Sequence, residues 1–353
     1  MLVCLAPPGF SSTHANIMAR SGLSYRIFSD KATDNKHNEM RLNISLVKFS
    51  LQSEFLAEDH RSGDFYFLFD GLSLEEDHQS PELKKYDSRK SLEKIGVVLS
   101  TPNLSLDVGR NALLFGGEFL RSRSDYEVWL PSYFRYYAPF HLSQNQLAVE
   151  IPFLGEIKIQ ATNDVLTKEP HRAEFNGSRL QPAILGQWRY ELTNSQVIAQ
   201  FGRYDINRSY YSNVGFSYQF GNRNHFSLDY LHHKKSIKNI TNKQDSTAAD
   251  WTLFNVLALN LELEFFGNLQ TKLVMIVSDI ESTLDWESQP DEQVSFDGMI
   301  RVSIPFWSEN TRFGFSAIKE SDLIPQDIQP YVSESTYFQM ELFIGIPVSL
   351  AKK

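Results

Sequence analysis

Apolar and polar residues alternate along much of the chain, and residues 259–265 (LNLELEF) show this clearly because the character changes at every position. Successive side chains of a strand project to opposite faces, so the leucines share one face and the glutamates the other. In a soluble sheet the apolar face packs on a protein core, whereas in a membrane barrel it meets lipid and the polar face lines a water-filled lumen. The alternation predicts a strand and leaves these two environments open.

The same period recurs along the sequence and predicts an all-β fold without a long amphipathic helix. About sixteen segments alternate in this way between turn residues. They lie approximately at 19–29, 39–57, 64–73, 92–100, 104–110, 145–153, 156–163, 180–192, 196–205, 211–220, 225–236, 250–266, 269–280, 293–306, 311–320 and 336–350. An even number of antiparallel strands is typical of bacterial outer-membrane barrels.

The connections between these segments alternate in length. Short turns lie near 60–63, 101–103, 154–155, 194–195, 221–224, 267–268 and 307–310. Longer polar loops lie between them at 30–38, 74–91, 111–144, 164–179, 206–210, 237–249, 281–292 and 321–335. Tight turns at one side and long loops at the other are typical of a transmembrane barrel, whose turns are periplasmic and whose loops are extracellular. A β-sandwich gives no reason for this segregation.

Aromatic residues concentrate where strands enter the short turns. The residues at these positions are Phe55, Phe153, Phe220, Phe265, Phe266, Phe306 and Trp307. In a barrel they would form a ring at one height, where aromatic side chains favour the membrane–water interface. The alternative, that aromatic residues are simply common in strands, does not account for their concentration at one end of the hairpins.

The faces of single strands indicate which side meets water. Segment 293–306 places Val294, Phe296, Gly298, Ile300, Val302, Ile304 and Phe306 on one face, and Ser295, Asp297, Met299, Arg301 and Ser303 on the other. Buried charges without partners are costly, so we expect so polar a face to be wet. A barrel of roughly 16 to 18 strands encloses an aqueous channel. We therefore predict that the leucines of 259–265 face lipid, and that Glu262 and Glu264 face water in the pore.

Composition narrows the function classes. The chain has 353 residues, a formal net charge of −9 and a single cysteine. No segment approaches the roughly 18 consecutive apolar residues of a membrane-spanning helix, and the acidic balance gives no support for nucleic-acid binding. Residues 1–15 resemble the end of a secretory leader with cleavage after Ala15, although an ordinary N-terminus is the alternative. Residues 16–353 are then predicted to form a single transmembrane barrel domain.

Two local motifs add a family resemblance. LSLDVGR at 104–110 looks like a porin's fifth strand, and QLAVEIPFLGEIKI at 146–159 looks like the hairpin that follows the third loop. With the strand number and the rhythm of turns and loops, the chain resembles the sixteen-stranded general-diffusion porins of Gram-negative outer membranes. The resemblance implies a homotrimer, with loop 2 (74–91) latching onto a neighbour, and contacts with lipid and lipopolysaccharide. The ending VSLAKK at 348–353 departs from the family, whose barrels usually end in an aromatic residue.

The resemblance also implies that loop 3 (111–144) folds into the barrel and places acids opposite cations of the wall. The expected constriction residues are Glu118, Arg121, Arg123, Asp125 and Glu127 from the loop, and Arg41, Lys48, Lys94 and Arg110 from the wall. Opposed charges across a water-filled constriction create a field that favours small polar solutes. A solvated extracellular loop is the alternative. We interpret the aromatic residues of loop 3, Tyr133 among them, as packing the loop onto the wall, with a sugar-guiding track as the alternative.

No motif in the sequence points to catalysis or to a cofactor. G-x-S-x-G, H-E-x-x-H, Walker and G-x-G-x-x-G motifs are missing, and the adjacent His232 and His233 point to opposite faces of one strand. We therefore expect no enzyme activity, no metal and no cofactor. The predicted function is passive diffusion of small hydrophilic solutes and ions through an outer-membrane channel. A substrate-specific channel, for example one that prefers sugars, and a soluble exported β-protein are the alternatives.

Overall fold

The residues that the structure describes lie almost entirely in one antiparallel sheet of seventeen strands. The computed structural model describes residues 12–30, 36–58, 61–70, 73–74, 92–111, 114–121, 131, 133, 144–152, 154–163, 182–204, 209–221, 223–237, 250–265, 269–282, 292–306, 308–323 and 332–349. A short helix, α1 (Gly117–Arg121), lies between two of the strands. Within these ranges, no helix combines the length and the apolar character needed to cross a membrane.

The strands follow one another along the chain with short and long connections in turn. They are β1 (Ser12–Asp30), β2 (Lys36–Glu58), β3 (Arg61–Asp70), β4 (Ser73–Leu74), β5 (Leu92–Thr101), β6 (Leu104–Asn111), β7 (Gln144–Pro152), β8 (Glu156–Asn163), β9 (Pro182–Glu191), β10 (Ser195–Tyr204), β11 (Ser209–Phe220), β12 (Asn224–Ile237), β13 (Asp250–Phe265), β14 (Leu269–Ser282), β15 (Glu292–Phe306), β16 (Ser308–Leu323) and β17 (Val332–Ser349). Most begin and end within a few residues of the segments that alternation predicts.

Two differences from the predicted strands concern the N-terminal part. β4 has only two residues, pairs with Ile44 and Ser45 of β2, and is too short for a period to be detected in the sequence. β1 begins at Ser12, although the sequence STHANIM does not alternate. Its first two residues pair with β2, and from His14 onward β17 pairs with it as well. Residues 12–15 are therefore part of a strand. Cleavage of a leader after Ala15 stays a prediction.

Apart from the short β4, neighbouring strands in the chain are also neighbours in the sheet, as in a meander, and β3 pairs directly with β5. β1 pairs with β2 on one edge and with β17 on the other, so that Ile17 lies opposite both Phe49 and Ile346. In the middle of the chain, β10 pairs with both β9 and β11. The first and last strands of the sheet are thus direct neighbours.

The predicted alternation of faces is confirmed where side chains are described. In β11, Val214 is 59% exposed whereas Asn213 is 2% exposed, and the two classes alternate through most of the strand. In β15, Val294 is 73% exposed whereas Asp297 is 2% exposed. On these two strands most apolar residues lie on the outer face, as predicted, and the inner face is mainly polar. On β14 the inner face also carries buried apolar residues, Val274 and Ile276.

The inner face differs from the expected wet wall. Asn260, Asp297 and Glu320 are buried, as are most inner residues described on β9 to β17. Several of the buried inner residues have partners: Asp297 accepts the backbone N–H of Ser321, Gln200 accepts the N–H of Gly117, and Arg301 pairs with Glu341. A buried polar group is tolerated once it has a partner. Most of the inner wall that is described on β9 to β17 is therefore covered by protein.

The outer face exposes large apolar side chains over many strands. Among them are Leu147, Ile184, Phe201, Val214, Tyr230, Leu257, Met275, Val294, Ile300, Ile304, Phe306, Phe313, Phe338 and Ile344. A soluble monomer rarely exposes a continuous apolar surface of this extent. The outer face is suited to an apolar surrounding.

Aromatic residues lie on the outer face close to the short turns. Phe265 and Phe306 are 43% and 56% exposed, and Tyr218 stacks on Phe220 with ring centroids 6.1 Å apart. Trp188 donates its indole N–H to the carbonyl of the turn residue Leu154 at 3.0 Å. These residues fit the predicted aromatic ring. The other members, Phe55, Phe153, Phe266 and Trp307, fall outside the residues whose side chains are described.

Candidate functional site

The segment around α1 lies against the inner face of the sheet. The backbone N–H of Leu114 donates to Gln160 Oε1 of β8 at 2.9 Å, and the N–H of Gly117 donates to Gln200 Oε1 of β10 at 2.9 Å. The hydroxyl of Tyr211 on β11 donates to the carbonyl of Leu114. The first N–H groups of a helix have no partner within the helix. Here side chains of the wall accept them.

Asp229 of β12 makes the densest set of contacts with α1. Its carboxylate accepts the backbone N–H of Glu118 at 2.9 Å through Oδ1 and that of Phe119 at 2.7 Å through Oδ2. The side-chain amide of Asn213 donates to the same Oδ1 at 3.2 Å. A carboxylate at a helix N-terminus is favourable both as a hydrogen-bond acceptor and through the helix dipole. Asp229 thus caps a helix that lies 110 residues away in the chain.

Two glycines make room for this carboxylate. Gly117 has φ +61°, and a Cβ there would overlap both the Asp229 carboxylate and the Asn213 amide. Gly215 lies opposite Asp229 in the ladder between β11 and β12, and a Cβ there would overlap the same carboxylate from the wall side. The carboxylate is held between a glycine of the helix and a glycine of the wall. Only glycine fits at either position without a shift of the carboxylate.

A buried aromatic cluster holds a second part of loop 3. Tyr133 is 0% exposed, and its hydroxyl lies 2.8 Å from His233 Nδ1 of β12. The His233 ring stacks on Phe254 of β13 at 5.6 Å, and Phe115 meets Tyr211 edge to face at 4.5 Å. Edge-to-face and offset pairs of this kind add to the free energy of burial. Residues of loop 3 from both sides of α1 are therefore packed on the wall.

The predicted opposite orientation of the two histidines is confirmed. His233 lies on the inner face in the cluster with Tyr133, whereas His232 lies on the outer face with its Nδ1 2.8 Å from Asn255 Oδ1. The two imidazoles cannot ligate one metal ion from these positions.

Ion pairs cross the inner face of the C-terminal strands. Lys272 Nζ lies 2.8 Å from Glu262 Oε1, and Arg301 Nη2 lies 2.8 Å from Glu341 Oε2. Arg312 donates to Gln270 Oε1. Glu262, predicted to face the lumen, is thus on the inner face and is paired with a cation of the next strand.

Of the predicted constriction residues, Glu118 is the one whose side chain is described. It is 5% exposed, and its carboxylate accepts a hydrogen bond from the side-chain amide of Gln196 on β10. The backbone of Arg121 ends α1, whereas Arg123, Asp125 and Glu127 lie outside the described residues. The wall cations occupy strands, with Arg41 and Lys48 in β2, Lys94 in β5 and Arg110 in β6, and their side chains are not described.

The contacts that anchor α1 were not predicted from the sequence. Gln160, Gln200 and Asp229 each occupy an ordinary inner-face position, and alternation does not reveal which inner residue meets a loop. The pair Gly116-Gly117 directly before Glu118 is the one local hint, since adjacent glycines favour a close approach of the backbone.

Solved structures similar to this one include an outer-membrane channel, a porin and a further outer-membrane protein, and the chain has the porin fold. The outer membrane channel DcaP of Acinetobacter baumannii has a TM-score of 0.65 at 10% identity, with 98% of this chain and 100% of that chain covered. An anion-selective porin from Comamonas acidovorans has a TM-score of 0.61 at 14% identity, with 95% and 99% covered. OmpT of Vibrio cholerae in its trimer form has a TM-score of 0.61 at 8% identity, with 95% and 100% covered.

Comparison of sequences gives no family. No family model matches the chain, and no curated protein matches it. The likeness is therefore one of fold, and function has to be argued from the residues of this chain.

Proposed function

We propose that the strands close into a transmembrane β-barrel in the bacterial outer membrane, which conducts small hydrophilic solutes and ions by passive diffusion. The observation that carries this proposal is an apolar outer face on a sheet whose first strand pairs with its last. In lipid every backbone N–H and C=O needs a partner within the protein, which a sheet without free edges provides. The porin fold of the similar structures supports the same localisation.

The position of α1 supports a constriction formed by loop 3. Hydrogen bonds to Gln160, Gln200 and Asp229 hold the start of this loop on the inner face, which narrows the space within the sheet. We propose that the remaining loop charges, Arg123, Asp125 and Glu127, face the wall cations Arg41, Lys48, Lys94 and Arg110 across the remaining passage. Because so much of the described inner face is covered, we expect a narrow channel with a small unitary conductance.

General diffusion is favoured over a sugar-specific channel by the environment of Tyr133. This ring is fully buried against His233 and Phe254, so it packs the loop rather than offering a stacking surface to a solute. An enzymatic role receives no support from Asp229, since its carboxylate is occupied by N–H groups of α1.

The assembly we propose is a homotrimer surrounded by lipid and lipopolysaccharide. One of the similar structures is described as a trimer. Loop 2 (74–91), the predicted latch between subunits, lies outside the described residues apart from its first residue.

The test is ion conductance after detergent-purified protein is added to a planar bilayer. Discrete, long-lived current steps would support an open pore, and a salt gradient would give the charge preference from the reversal potential. A sugar that blocks these steps saturably would favour a substrate-specific channel. No steps from protein that is folded and inserted would contradict the proposal.

A further inference from the structure

Two cations lie directly opposite each other on the inner face of neighbouring strands. Lys272 of β14 is the ladder partner of Arg301 of β15, and the two residues are 7% and 6% exposed. Like charges directly opposite each other in a sheet repel. Burial of both at this spacing therefore requires anionic groups close by.

Each cation is directed away from the other, toward a carboxylate. Lys272 pairs with Glu262 on the preceding strand, and Arg301 pairs with Glu341 of β17. Arg301 crosses β16 over Gly314, where a Cβ would lie 3.2 Å from Nη2 and 3.3 Å from Nε. The two carboxylates thus flank the cation pair and do not separate it.

The Nε of Arg301 is buried, and no acceptor for it lies in the part of the chain that the structure describes. Buried donors nearly always have an acceptor, so this N–H calls for one beyond the residues that the structure describes. A guanidinium presents its donors in a planar fork that suits the oxygens of phosphate, sulfate or carboxylate. Arg312, on the next strand, adds a third cation to the same inner face.

We propose that Lys272 and Arg301 form an oxyanion station on the inner wall, which binds phosphate, sulfate or carboxylate groups of small solutes. One oxygen of the anion accepts the Arg301 Nε–H, and the charge of Lys272 stabilises the same anion from the neighbouring strand. The station is formed by β14 and β15, apart from the loop 3 contacts on β8 to β13. It rests on the proposed channel for the route by which solutes arrive.

The test measures binding of inorganic pyrophosphate to the full-length protein in detergent by isothermal titration calorimetry. The variant is Arg301→Gln, and the matched control is Arg223→Gln, since Arg223 is a more exposed arginine paired with Glu264 at 3.0 Å near a short turn. We expect saturable binding to the wild type and to the control, and binding weaker by about tenfold to a hundredfold in Arg301→Gln. Equal affinity in all three proteins, or no binding to the wild type, would overturn the proposal.

A second variant controls for misfolding of Arg301→Gln. Arg301→Gln leaves the buried Glu341 without its cation, so the double variant Arg301→Gln/Glu341→Gln, which removes both charges, is compared as well. It should also lose pyrophosphate affinity, and retained affinity would contradict the station. Calorimetry in detergent needs no ion flux. Binding without conductance would therefore contradict the channel alone, and conductance without binding would contradict the station alone.

Discussion

Replacing Asp229 by alanine should release α1 from the wall. The change removes the acceptor of the Glu118 and Phe119 N–H groups and leaves the Asn213 amide without this partner. A hydrogen bond to a charged group contributes about 1.5 to 3 kcal/mol. The two backbone bonds together then stabilise the docked helix by about 3 to 6 kcal/mol, with the lower end applying where water replaces the carboxylate.

The assay is hydrogen exchange of the Glu118 and Phe119 amides, read by mass spectrometry of the protein in detergent. We expect exchange to accelerate by about a hundredfold or more, since each 1.4 kcal/mol is a factor of ten. Asp229→Asn should give a smaller effect, because an amide retains one carbonyl oxygen. In a bilayer, the released helix should add current fluctuations to the open channel.

The matched control is Asp297→Ala on β15. Asp297 is also a buried inner-face carboxylate that accepts a backbone N–H, but from Ser321 at 2.8 Å and not from α1. It should leave the exchange of the Glu118 and Phe119 amides unchanged. Equal exchange in wild type and Asp229→Ala, or equal acceleration by the control, would refute the role of Asp229 as the anchor.

Three further changes probe other parts of the fold. Gly117→Ala should destabilise the docked loop more than Gly221→Ala, because both have positive φ but only Gly117 faces the Asp229 carboxylate, and urea unfolding would compare them. Tyr133→Phe should cost about 1 to 3 kcal/mol in the same unfolding measurement, since it leaves the buried His233 Nδ1 without its 2.8 Å partner, and an unchanged midpoint would contradict that contact. Ile300→Arg should lower the free energy of unfolding in lipid by about 2 to 4 kcal/mol if the outer face meets hydrocarbon. Ile300→Ala is the control for the loss of the isoleucine side chain. An arginine variant as stable as the wild type would refute the lipid-facing assignment.

Strands and faces could be predicted from the sequence, because a period of two is local. Val294 and Asp297 lie on the faces that alternation assigns to them, and β15 ends at Phe306 as predicted. Where such a period is lacking, the prediction omitted a strand, β4, or placed a strand boundary wrongly, at the start of β1. The start of β1 at Ser12 depends on the pairing partners that β2 offers, which no local pattern encodes.

Contacts across the inner face could not be predicted for a different reason. Alternation predicts that Asp229 and Arg301 point inward, but it does not predict which residues they contact. Asp229 meets a helix from a distant loop, and Arg301 passes over Gly314 to reach a carboxylate two strands away. Burial of Arg301 and Asp229 follows from these contacts, so the expectation of a wet wall was wrong for most inner residues described on β9 to β17.

The acceptors of α1 come from three separate strands, and this bears on the order of assembly. Gln160, Gln200 and Asp229 lie on β8, β10 and β12, and they reach the helix together only after the intervening strands have paired in register. A slip of one residue in β12 would turn the Asp229 carboxylate to the opposite face of the sheet. We therefore expect the loop to dock late in folding, after β8 to β12 have paired in the correct register.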